Sequence, residues 1–240
     1  MSNPLHQFEI YPVVPLELSG HSIAITNSTI MMFVNIVVLM VSLFLFSRRI
    51  EVIPGRMQAI GEMLYGMINS MMLNTAGTEA KRYMPFIFSL FMFVLVCNSM
   101  GMIPYSFTVT SHIIVTFAMA AVIFIGVTTI GFIRHGWNYF SLLLPKGTPW
   151  VMAPMMIFIE FIAYMVRPIS LSARLAANMT AGHIVMKIAA SFVLISGLIG
   201  VLPFTCLVLL TGFEMFVAVL QAYIFTMLSC IYLSDAIELH

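Results

Sequence analysis

Residues 149 to 196 form an apolar stretch broken only by a few charges of its own, and a second stretch extends from 201 to about 234. As helices these would measure on the order of 65 and 45 Å, against about 30 Å of hydrocarbon in a bilayer. An upright crossing uses about 20 residues. Either each stretch is one steeply tilted helix, or the first is two crossings joined by a loop at Arg167–Arg174.

The rest of the chain helps to choose. Shorter apolar runs occupy 25–47, 83–103 and 112–133. Between the first two, residues 56–76 carry Ile60, Met63, Leu64, Met67, Ile68, Met71 and Met72 at i, i+3, i+4, i+7 spacing, with Gln58, Glu62 and Asn69 elsewhere. That pattern describes an amphipathic helix, lying in the membrane interface or packed on protein. Lys and Arg concentrate at 48–82 and 134–147 (Arg48, Arg49, Lys81, Arg82, Arg134, Lys146), whereas 104–111 carries no charge. Positive residues mark the inner side, so the N-terminus and 104–111 face outward. A crossing over 149–166 would then put Arg167 and Arg174 outside, against that pattern. One long helix, bent where Pro168 removes a backbone hydrogen bond, avoids the conflict.

The expected fold class is therefore all-α and polytopic, a single membrane domain over 1–240 with helices at 25–47, 56–76, 83–103, 112–133, 149–196 and 201–234. Composition agrees: 61% hydrophobic residues, 8% charged, and a mean hydropathy of +1.06. The net charge of +1 argues against nucleic-acid binding. No basic leader with a cleavage site precedes the first run, so insertion is expected from the first span itself. Cys97, Cys206 and Cys230 lie in apolar runs without metal or redox spacing and read as small core residues, with no metal site.

Charge inside the long runs is the functional signal. With Glu160 at zero on a helical wheel, Arg167 falls about 20° away, Arg174 about 40° away and Asn178 about 0° away. His183 and Lys187 lie about 140° and 180° round, on a nearly opposite stripe. On the next helix Glu214 and Gln221 are seven apart and share a face. Arg174 is about 21 Å of helix from Glu160 and about 13 Å from His183. A carboxylate, an arginine and an imidazole thus follow one another along the path on changing faces. Two offset aqueous entries need that order, whereas a straight pore needs one continuous stripe. Arg167 has a structural reading as well, snorkelling or pairing with Glu160, and Lys187 reads as an interfacial anchor or a relay. Arg174 is harder to explain structurally, because mid-membrane charge is costly and functional by default.

"SLSARLAANMTAGH" (170–183) sits at the centre of a wider resemblance that includes "NPLHQFEI", "NSMGMIPYSFTVTSH" and "GFEMFVAVLQAYIFTMLSCIYLSDAIELH". Over nearly the whole chain these segments resemble subunit a of F-type ATP synthases, mitochondrial or related bacterial. The resemblance implies one upright span, an interfacial helix, a hairpin and two long tilted helices curving around a c-ring. It assigns Arg174 as the essential arginine and Glu160 to the inner half-channel. His183 and Glu214 fall to the outer one, and Gln221 is the polar neighbour of the arginine, with Asn178 beside it. It implies partners in the c-ring, the peripheral stalk, other membrane-sector subunits and the lipid bilayer, no cofactor, and no ATP-hydrolysing site of its own. The expected location is the mitochondrial inner membrane, with the bacterial plasma membrane as alternative, the N-terminus outside and the C-terminus on the matrix or cytoplasmic side. A secondary transporter is the rival reading; it calls for internal repeats and paired broken helices, and no repeat is evident.

Overall fold

A computed structural model describes residues 11–18, 21–48, 51–103, 107–143, 152–195 and 201–237. The expected starts and ends of the long helices at 149–151 and 196, the connection between them at 197–200, part of the 104–111 connection, Arg49, Lys146 and the N-terminal "NPLHQFEI" lie outside these residues.

The described chain opens with a feature not anticipated from sequence, an antiparallel hairpin of β1 (Pro12–Leu18) and β2 (His21–Thr26). β2, "HSIAIT", carries the β-branched Ile23, Ile25 and Thr26, residue types that favour strands. A register shift falls between Pro12 and Val14, where proline cannot donate to the ladder. Thr26 closes the hairpin and caps the next helix, its hydroxyl accepting from the Thr29 amide at 3.4 Å.

Six helices follow: α1 (Asn27–Ser47), α2 (Arg56–Ala76), α3 (Met84–Gly101), α4 (Ile113–His135), α5 (Ala153–Ile195) and α6 (Val201–Ile237). Among the described residues, five stretches are long and apolar enough to cross a membrane: α1, α3, α4, α5 and α6, α3 and α4 each with an adjoining 3-10 turn. The protein is thus an all-α polytopic membrane protein apart from the hairpin. α5 runs unbroken through Pro168, so residues 153–195 form one helix rather than two crossings. Its 43 residues reach about 65 Å.

α1 is packed inside out relative to a helix of a water-soluble bundle. Phe33, Val37, Met40, Val41 and Phe44 of α1 are exposed, and its buried side chain is the polar Asn35, whose amide reaches Cys97 Sγ at 3.6 Å. In hydrocarbon, apolar surface may face outward while hydrogen-bonding groups turn inward. The core gathers around α6, which packs against α2, α3, α4 and α5. Ile68, Met72, Phe91, Leu175, Met179 and Phe225 are fully buried there. α2 is therefore held on protein through Ile68 and Met72, as its protein-packed reading expects, while Met63 and Met67 remain exposed. Of the cysteines, Cys97 and Cys230 are buried as expected, but Cys206 is exposed, in the stretch 201–213 of α6 where no side chain is buried.

Candidate functional site: polar groups along α5 and α6

Arg174 is the middle residue of α5, and it is exposed. Among the described residues it makes no ion pair or hydrogen bond. Exposed side chains elsewhere along α5 are apolar, including Val166, Ile169 and Ile188, so the cation stands on a largely hydrocarbon-like helix surface. Asn178, one turn on, is also exposed, and Glu160 is half-buried toward the Ala153 end.

Beyond Asn178, α5 and α6 part to form a cleft of about 400 Å³. Asn178, Gly182, Glu214 and Gln221 line it. Glu214 is only 5% exposed, and neither carboxylate oxygen has a hydrogen-bond partner among the described residues. It can sit there because position 182 is glycine: a Cβ would overlap Glu214 Oε1 and lie 2.6 Å from its carboxyl carbon. A buried carboxyl without a partner is tolerated only if it binds water or carries a proton.

His183, next to that glycine, points the other way. It is 8% exposed, and its Nε2 lies 3.0 Å from Thr108 Oγ1, in the segment joining α3 to α4. The same region holds three more buried polar atoms without partners among the described residues: Asn98 Oδ1, Thr110 Oγ1 and His112 Nε2. The Asn98 amide donates to the Ala218 carbonyl of α6 at 3.1 Å, one turn from Glu214. Clustered unsatisfied polar atoms mark where ordered water belongs. The polar groups at this end thus come from α3, the segment joining α3 to α4, α5 and α6 together.

Toward the other end, Arg167 does not pair with Glu160. It binds Asp235 of α6, Nη1 to Oδ2 at 2.7 Å, and lies over the rings of Tyr164 and Tyr232 at 5.4 and 5.1 Å. Glu160 is two turns away, about 10 Å along the axis, whereas the antiparallel α6 brings Asp235 alongside. Arg167 therefore leaves the stripe and clasps α5 to α6. Lys187 is half-buried, one turn beyond His183.

Sequence reasoning missed Asn98, Thr108, Thr110, His112 and Asp235. An asparagine within an apolar span was a visible signal. The connection between α3 and α4 was passed over because only its charges were counted.

A helical membrane protein whose two longest helices carry a lateral, unpaired cation between separated acid and imidazole groups has the makings of an ion-translocating subunit. The ATP synthase A chain family model matches residues 29–234, and the chain belongs to that family. It is 48% identical to ATP synthase subunit a of Pelagibacter ubique, over all of this chain and 99% of the relative. It is 49% identical to that of Wolbachia from Brugia malayi, covering 98% of this chain and 99% of the relative. It is 47% identical to that of Rhodospirillum rubrum over the full length of both.

Proposed function

We propose that the chain is the stator subunit of the membrane sector of a proton-translocating ATP synthase, forming two offset half-channels against a rotating ring of carboxylate-bearing subunits. The observation that carries this is Arg174: a permanent cation at mid-helix, exposed on an apolar wall, to which the described chain supplies no counter-charge. Such a group in hydrocarbon costs several kcal/mol unless a partner neutralises it. The natural partner is a mid-membrane carboxylate on a neighbouring subunit.

In this reading protons enter from outside past His183 and the cleft of Glu214, Asn178 and Gln221, and protonate a rotor carboxylate. Once neutral, that carboxylate travels through lipid at low cost. After most of a turn it reaches the inner side, where Glu160 helps to remove the proton. Arg174 attracts the ionised rotor acid and, because guanidinium does not titrate, refuses to relay protons straight across. Each proton crossing supplies about 2.3 kcal/mol per 100 mV, which becomes rotation only while that shortcut is closed. Arg167 supports the inner side through Asp235, and Lys187 anchors the outer end of α5. Peripheral-stalk and other membrane-sector subunits complete the assembly. The N-terminus lies outside and the C-terminus inside. The relatives are bacterial, which supports the bacterial plasma membrane rather than the mitochondrial inner membrane.

The test is Arg174→Ala in the assembled enzyme, reconstituted in vesicles with an imposed proton gradient. Proton-driven ATP synthesis should vanish, and Arg174→Lys should not restore it fully, since a desolvated lysine can lose its proton. Normal synthesis by Arg174→Ala would end this reading.

A further inference from the structure

Polar side chains tie α5 to its neighbours at two stations. At the outer one the Thr180 hydroxyl donates to the Ser111 carbonyl at 3.2 Å, and His183 meets Thr108. The inner one is Tyr164 with Arg167. Arg174 lies between them, seven residues beyond Arg167 and six short of Thr180. With no hydrogen bond of its own among the described residues, it stands wherever those two stations hold the helix.

The inner station contains a directed chain of hydroxyls. Thr128 Oγ1 of α4 lies 2.7 Å from the Phe124 carbonyl and 2.6 Å from the Tyr164 hydroxyl. A carbonyl only accepts and a hydroxyl has one proton, so Thr128 donates to Phe124 and Tyr164 donates to Thr128. Tyr139, in the Gly136–Leu143 turn after α4, lies 3.0 Å from the Tyr164 hydroxyl. With the Tyr164 proton already committed, Tyr139 is the donor there. Tyr139 reaches in because residue 131 is glycine, where a Cβ would lie 2.7 Å from the Tyr139 Cδ2. The Tyr164 ring packs on Phe124 at 4.8 Å and also carries the Arg167 guanidinium at 5.4 Å. One ring thus joins the α4 side to the Arg167–Asp235 clasp on α6.

The station falls where α5 lacks a backbone hydrogen bond. Pro168 has no N–H, so the Tyr164 carbonyl loses the donor four residues on. We propose that Tyr164 is a positioning residue for Arg174. Its hydroxyl and ring replace, by ties to α4 and α6, the stiffness that the proline removes. The lever is short but sufficient. Arg174 is about 9 Å of helix beyond Pro168, so a swing of about 5° there displaces it by about 0.8 Å. A displacement of that size matters to a charge that must meet a passing carboxylate and keep two water paths apart. Hydroxyls suit the task, because they bind helix to helix at membrane depth without adding a charge.

The inference rests on the reading of Arg174 as the gate, and its readouts keep the two apart. In the assembled, reconstituted enzyme, Tyr164→Phe keeps the ring under Arg167 and removes the hydroxyl. Thr128→Val removes the acceptor with little change of shape, and Thr128→Ser keeps it. Per assembled enzyme, Tyr164→Phe and Thr128→Val should each lower proton-driven ATP synthesis about tenfold and raise passive proton leak. Combined, they should do no worse than either alone, because both cut one chain. Thr128→Ser should match the wild type. A role in packing alone lowers the amount assembled but leaves synthesis and leak per enzyme unchanged, and that result overturns the proposal. Where Tyr164→Phe does not assemble, Thr128→Val, which leaves α5 untouched, decides alone. The second measurement is amide hydrogen exchange of the same enzymes. Faster exchange confined to residues 165–176 supports the brace; unchanged exchange there overturns it. If Arg174→Ala itself keeps normal synthesis and leak, the gate reading fails, while exchange still reports whether Tyr164 stiffens α5.

Discussion

Replacing Gly182 by alanine should disable the outer proton path by moving a single carboxylate. The added Cβ would stand 2.6 Å from the carboxyl carbon of Glu214 and 3.1 Å from its Cγ. Carbon atoms settle at about 3.5–4.0 Å, so the glutamate must retreat by about 1 Å. The cleft beside it has room for that movement, so α5 and α6 can stay together and assembly should survive. Misplacing a reacting group by about 1 Å costs up to about 100-fold in rate, or about 2.7 kcal/mol in barrier. The assay is proton-driven ATP synthesis in vesicles, normalised to the amount of assembled enzyme. The double variant Gly182→Ala, Glu214→Asp shortens the acid by one methylene and should recover much of the loss. Wild-type turnover in Gly182→Ala, with Glu214→Gln inactive, would show that the acid matters but its position does not, and would refute the steric reasoning.

Three further outcomes are expected. His183→Ala should assemble normally but slow proton entry; equal flux across outside pH 6–8 would remove His183 from the path. Arg167→Ala should loosen the α5–α6 clasp. A fully buried pair costs about 3–5 kcal/mol to break, but these side chains are 22% and 27% exposed, so about 1–3 kcal/mol is the reasonable loss after solvent screening. Thermal unfolding of the purified membrane sector measures it, and the swap Arg167→Asp with Asp235→Arg should recover part of the loss; a swap no better than either single change counts against the ion pair. Glu160→Gln should slow proton release on the inner side more than proton entry, read as a change in ATP synthesis with inside pH. If Glu160→Gln leaves that dependence unaltered, the acid has no part in release.

The membrane class of this protein was legible without coordinates, because hydrocarbon imposes a length and a composition on any helix that crosses it. The same held for the continuity of α5 through Pro168, which followed from where the other positive charges lie. The list of chemically unusual side chains was also legible, since a charge in an apolar run is visible one residue at a time. The hairpin at Pro12–Thr26 was not, because two short strands without clean apolar–polar alternation give a weak signal beside a 21-residue apolar helix.

What needed the tertiary structure was pairing. A helical wheel put Arg167 on the stripe of Glu160 and Arg174; the antiparallel packing of α6 turned it to Asp235 instead. The wheel also said nothing of Thr108, which reaches His183 across 75 residues of sequence, or of the glycine at 182 that admits a carboxylate from another helix. Local periodicity reports the face a side chain occupies on its own helix. Which groups meet, and which are left without a partner, depends on the contacts between helices, and those are settled only when the whole bundle closes.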